Sequence, residues 1–119
     1  MKTTIKLCLL TALCTLLIGV SKVSAQAIEK KTETFKVYGN CGMCKETIEG
    51  ALKKKDGVHK KSWDTKTKMI SVTYDPTKIT LLQIKQKIAD VGYDTEEIKA
   101  KDEVYSKLHG CCQYDRPKK

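Results

Sequence analysis

The amino-acid sequence predicts an α+β domain of the ferredoxin-like class, βαββαβ, in which two helices cover one face of a four-stranded antiparallel sheet. Two observations carry this expectation. Apolar periodicity switches from two to 3.6 and back in that order between residues 34 and 99. Gly57, Pro76 and Gly92 then punctuate the pattern where the elements should end.

Thr34-Phe35-Lys36-Val37-Tyr38 alternates, with Phe35 and Val37 on one face, and reads as the first strand. Gly39-Asn40-Cys41-Gly42 is a loop. From Met43 to about Lys55, Cys44, Ile48, Ala51 and Leu52 share a helical face, until Asp56-Gly57 stops the helix. Val58 to Asp64 and Lys68 to Tyr74 are the next strands, joined near Thr65-Lys66-Thr67. Ile70, Val72 and Tyr74 alternate cleanly with Met69, Ser71 and Thr73 in the second of these. Asp75-Pro76 breaks that strand, and Thr80 with Gln83 forms the capping box of a second helix whose stripe is Leu81, Ile84, Ile88 and Val91. Gly92 ends this helix, and Tyr93 to Lys99 supplies a fourth strand. In this topology the end of the first strand, at Asn40, lies beside the start of the fourth, near Tyr93.

Ahead of the domain, Lys2 and Lys6 precede an apolar run from Leu7 to Val20, followed by Val23-Ser24-Ala25. That is the anatomy of a cleaved secretory signal over residues 1–25, too short for a spanning helix of about 20 apolar residues. Cys8 and Cys14 are lost with it. The mature chain then begins at Gln26 and holds 94 residues, enough for one core: a polar leader (26–32), the domain (33–99) and a charged tail (100–119). Its charge is +6 rather than the +9 of the whole chain, and its lysines are dispersed, with Arg116 the sole arginine. A nucleic-acid binder would cluster Arg and Lys with aromatic residues, so that class is not favoured. Export implies a periplasmic or secreted protein, with no membrane insertion after cleavage.

Four cysteines remain, as one CxxC (Cys41, Cys44) and one adjacent pair (Cys111, Cys112). Such spacing is poor for a stapled fold and better for a ligand site or a redox pair. Cys41 and Cys44 sit where a strand runs into a helix N-terminus, whose unpaired N–H groups favour thiolate. Gly39 and Gly42 let the loop bend so that both sulfurs converge. Two thiolates with little else suit Cu(I), whereas structural Zn(II) wants four ligands. A thiol–disulfide redox protein would use the same CxxC, and so would an adaptor whose CxxC has closed into a disulfide. Pro76 does not occupy the strand-opening place that the redox fold gives to proline. No Ser-His-Asp set, carboxylate pair or phosphate loop is present, so no enzymatic role is expected.

The chain resembles the heavy-metal-associated domain family from about Thr34 to Lys99. The likeness rests on Cys41-Gly-Met-Cys44, Gly57-Val58, Ser71-Val72-Thr73-Tyr74-Asp75-Pro76 and Ala89-Asp90-Val91-Gly92-Tyr93. The resemblance implies copper chaperones, modules of copper-exporting ATPases and the periplasmic mercuric-ion-binding protein as kin, with Cys41 and Cys44 as ligands and Tyr93 near the metal loop. It makes Cu(I) the expected ion with Hg(II) and Zn(II) as alternatives. A metal transporter or another metal-binding domain is the expected partner, and a metal-bridged dimer is allowed. The sequence departs from the family at Gly39, where a core Met is usual, and at Lys61, where a buried Val is usual; an edge strand would let the Lys61 stem snorkel.

Outside that domain, Cys111, Cys112 and His109 are candidate additional ligands. The fourth strand should end about 20 Å from the metal loop, and residues 100–110 can retrace that distance at ~3.3 Å per residue. A tail closing over the site would offer three or four sulfurs. A free or disulfide-linked tail is the alternative. Met43 and His59 are expected to face solvent, and Trp63 to pack in the sheet.

Overall fold

A computed structural model describes residues 28–118; the expected signal segment, residues 1–25, lies outside them. Among the described residues the elements are strand β1 (Lys31–Lys36), helix α1 (Gly42–Gly50), strands β2 (Val58–Trp63) and β3 (Met69–Tyr74), and helices α2 (Leu81–Asp90) and α3 (Asp102–Ser106). Short 3₁₀ turns cover Lys54–Asp56 and Gly110–Cys112. No helix among them is long and apolar enough to cross a membrane.

The sheet is antiparallel in the order β1-β3-β2, with Phe35 opposite Ile70 and Trp63 also opposite Ile70. Alternation puts Ile70, Val72 and Tyr74 of β3 on the buried face, joined there by Phe35, Val58 and Trp63. Ile48 and Leu52 from the α1 region, and Ile84 and Ile88 from α2, fill the same core. Both helices therefore lie on one face, while Ser71 and Met69 look outward. At α2 the capping box forms as the sequence requires: Gln83 N–H donates to Thr80 Oγ1 (3.1 Å), and Thr80 N–H donates to Gln83 Oε1 (2.9 Å).

Three expectations change. The fourth strand shrinks to one antiparallel bridge between Val37 and Thr95, extended by Tyr38 N–H donating to Asp94 O. Thr95 itself curls the chain away: its hydroxyl accepts from Ile98 N–H (3.0 Å) while its N–H donates to Ile98 O (2.8 Å). A local hydroxyl turn of this kind outcompetes a ladder. Helix α1 stops at Gly50 rather than near Lys55, and Leu52 remains in the core beyond its end. Strand β1 begins at Lys31, taking in two residues of the expected leader.

The two departures from the family pattern have a physical reading. Gly39 is buried, and a Cβ there would lie 3.0 Å from Cζ2 and Cη2 of Trp63. The Trp63 indole, whose Nε1–H donates to Val37 O (3.0 Å), thus occupies the space that a larger residue 39 would need. Lys61 lies on the edge strand β2, and its ammonium reaches past the core to donate to Leu52 O beyond the end of α1.

Residues 100–118 are not a loose appendage. Tyr114 is buried, stacks on Tyr93 (5.6 Å between ring centres) and meets the Tyr105 ring edge-on at 5.1 Å. Its hydroxyl accepts from Asp94 N–H and donates to Gly92 O, both at 2.8 Å. Gly92 is left-handed (φ 105°), and a Cβ there would come within 3.1 Å of Leu108, so the tail packs directly on the α2 terminus. Arg116 fastens the end with a two-pronged pair to Asp94, at 2.8 and 2.7 Å.

Candidate metal centre

Cys41 is the residue before α1, in extended backbone, and Cys44 is in the first turn. Their Sγ atoms are 3.9 Å apart, and all four described cysteines are free thiols. Cys44 is wholly buried and receives the Asn40 N–H at 3.4 Å, while Cys41 is half-buried. The N–H groups of Cys44 and then Met43, unpaired at the helix start, bring the Cys41 thiol down to about 7. Cys41 is thus substantially ionised near neutral pH and ready to bind a soft cation or to act as a nucleophile.

The loop is held from below. Lys68, left-handed at φ 62°, donates from Nζ to Asn40 O (3.1 Å) and Thr65 O (2.7 Å) and lies 5.4 Å over the Trp63 ring. Asp64 Oδ1 accepts the Lys66 and Thr67 N–H groups and so fixes the turn that forces Lys68 into that conformation.

The tail brings its cysteines here. The Sγ atoms of Cys41, Cys111 and Cys112 all lie within 4.8 Å of one another. Asn40 Nδ2 donates to Cys111 O (3.2 Å), and Cys111 Sγ lies 3.8 Å from both Met43 Sδ and Cys112 Sγ. Cys112 is buried; desolvation first, then its contact with Cys44, pushes its thiol up to about 12. His109, the residue before the 3₁₀ turn, is exposed and lies outside this group of sulfurs. Met43 is 45% exposed, as a residue facing outward should be.

Tyr93 is buried beneath the loop, and its hydroxyl has no hydrogen-bond partner. Its polar neighbours are the sulfurs of Cys44 and Cys112. Burial, chiefly, raises its pKa, so it stays a hydroxyl that can donate. Sequence reasoning missed Tyr105, Tyr114, Asn40 and Arg116 as parts of this assembly. One compositional signal was available: a single arginine among 23 basic residues suggests a place where a planar fork is needed.

The Heavy-metal-associated domain model matches residues 34–94. The copper chaperone CopZ of Staphylococcus aureus is 40% identical over 63 residues, covering 52% of this chain and 93% of that one. A zinc-transporting ATPase of Synechocystis is 37% identical over 76 residues, covering 63% of this chain but only 10% of the ATPase. The solved structure of a CopZ metallochaperone is 38% identical, with a TM-score of 0.52 over 55% of this chain and 98% of its own. The matched unit is a metal-binding module rather than an enzyme, and by this match the chain belongs to the heavy-metal-associated domain family.

Proposed function

We propose that the protein is an exported carrier of a soft metal ion, Cu(I), held by the thiolates of Cys41 and Cys44. It passes the ion to a metal transporter or to another metal-binding domain. The observation that carries this reading is the pair of sulfurs 3.9 Å apart at the open end of α1, one of them with its thiol lowered to about 7. Soft thiolates select Cu(I) over hard divalent ions. The likeness to a copper chaperone over 93% of that protein's length supports the same ion. The zinc-transporting relative favours Zn(II), a borderline ion, as the second, and Hg(II), soft like Cu(I), is the third competitor. Export rests on the Lys2/Lys6 start, the apolar run to Val20 and Val23-Ser24-Ala25, and it makes the site periplasmic or secreted.

Native mass spectrometry of the reduced protein offered Cu(I), Zn(II) and Hg(II) together tests this, and also reads any metal-bridged dimer. One Cu(I) per chain is expected, with tight binding abolished in Cys41→Ser and in Cys44→Ser while the fold persists. Unchanged Cu(I) affinity in either variant refutes the assignment. An ionised Cys41 beside Cys44 would also serve thiol–disulfide exchange. Insulin reduction at a thioredoxin-like rate would move the protein to that class.

A further inference from the structure

We propose that Cys111 and Cys112 close over the CxxC loop and join Cys41 and Cys44 in one site, so that the bound ion has three or more sulfur ligands. This rests on the reading of Cys41 and Cys44 as metal ligands and extends it to a part of the chain outside the matched family region, residues 34–94. The first support is distance. Two sulfurs on one ion at bonds of about 2.3 Å sit about 3.8 Å apart in a tetrahedral site and about 4.0 Å apart in a trigonal one, against about 4.6 Å for a linear pair. Cys41–Cys44 at 3.9 Å and Cys111–Cys112 at 3.8 Å have the first two spacings; Cys41, Cys111 and Cys112 converge within 4.8 Å, and Cys44, outside that mutual group, joins it through Cys41.

The second support is an orphan. The Tyr93 hydroxyl is buried and makes no well-formed hydrogen bond, and the thiols of Cys44 and Cys112 are the polar groups that face it. A buried donor left without a full-strength acceptor is costly to the fold. A thiol is a weak acceptor, but a metal-bound thiolate is a charged one, so loading the site with both sulfurs ionised gives this hydroxyl its bond. The third support is mounting. The tail is set by Tyr114, Asn40 and Arg116 rather than by the cysteines themselves, so the sulfurs are delivered before any ion binds. Closing the site also covers Cys41 from the side of Cys111, so a tail-bound ion is held against exchange and the tail must lift for transfer.

Cu(I) bound anaerobically to the reduced full chain tests this by X-ray absorption at the copper edge, with chelator competition for affinity and for release rate. The wild type is expected to show three or more sulfurs. Cys111→Ser/Cys112→Ser should show two, release copper faster, and bind it at least ~10–100-fold more weakly, the loss that even outer-sphere changes bring to metal sites. The exposed Cys111→Ser alone should also lose one sulfur, which keeps the test open if the buried Cys112 substitution unfolds the tail. Two sulfurs in the wild type, or an unchanged count and affinity in the double variant, overturns the tail's role and leaves Cys41 and Cys44 standing. Cu(I) retained by Cys41→Ser/Cys44→Ser overturns the underlying reading instead.

Discussion

Arg116→Ala should detach the tail, and its cost can be worked from the contacts it removes. The guanidinium donates to Asp94 at 2.8 and 2.7 Å, to Asp102 at 2.6 Å and to Ala100 O at 2.6 Å. The Asp102 arm contributes little, because that carboxylate is 84% exposed and such pairs are worth about 0–1 kcal/mol. Asp94 is different: its side chain is 1% exposed and would keep only the Ala100 N–H. Stranding one partner of a buried pair costs about 3–5 kcal/mol, capped here by whatever free energy docks the tail. At roughly 4–8 °C per kcal/mol for a domain of this size, the full loss with the tail still docked would lower the melting temperature by ~12 °C or more. Alternatively the tail lifts and hydrates Asp94, and trypsin then cuts beyond Lys99 in an otherwise folded chain. Arg116→Lys should recover only part of the loss, since an ammonium cannot reproduce the fork. Thermal unfolding by circular dichroism with parallel proteolysis reads both outcomes. A shift below ~4 °C with the tail still protected would make the pair an ordinary surface contact and refute the reasoning.

Iodoacetamide mapped by mass spectrometry should label Cys41 with a pH midpoint of about 7 and leave Cys112, pushed up to about 12, unlabelled until the chain is unfolded; equal rates at the two would refute the site's electrostatics. Gly39→Met should destabilise by about 1–3 kcal/mol through overpacking against Trp63. Combined with Trp63→Ala it should cost less than the sum of the two single changes, whereas strict additivity in urea unfolding would mean that the two positions do not share space. Acid should act through aspartates whose folded pKa values are depressed: Asp64 by the Thr67 and Lys66 N–H groups, Asp75 by the Thr77 hydroxyl, and Asp94 by Arg116 and the Ala100 N–H, which outweigh the opposing effect of its burial. Their contribution is complete above the unfolded value of about 3.9 and is lost below it, so the urea midpoint should hold down to about pH 5 and fall below about pH 4. A main loss between pH 5 and 7 would point to histidine instead.

The parts of the fold legible in the sequence are those set by local chemistry. Alternation in β3 follows from Ile70, Val72 and Tyr74, and the start of α2 from the reciprocal Thr80–Gln83 bonds; neither needs the rest of the chain. The fourth strand is less legible for a related reason. Tyr93 to Lys99 has extended character, but whether it pairs depends on one hydroxyl, Thr95, closing on Ile98. Trp63 was placeable in the sheet, yet its fit above Gly39 is a three-dimensional exchange of volume between residues 24 positions apart, which no window of periodicity contains.

The site divides along the same line. Cys41 and Cys44 are separated by two residues and share one helix start, so their convergence is a local fact that spacing conveys. The tail cysteines could be given only a reach, because length limits where a chain can go without saying where it stops. What stops it is non-local: Asp94 buried beside the loop, Tyr93 offering a stacking face, and Gly92 leaving room for Leu108. Each of these belongs to the stretch that ends α2, and each meets a residue 16 to 22 positions later. The stretch that would have formed a fourth strand has thus become a dock. By curling away after one bridge, Thr95 sends the chain through Ala100, whose N–H and carbonyl both serve the Asp94–Arg116 pair. A longer ladder along β1 would have carried residues 96–99 on beside the sheet, and the lost strand and the gained tail are two consequences of the same turn.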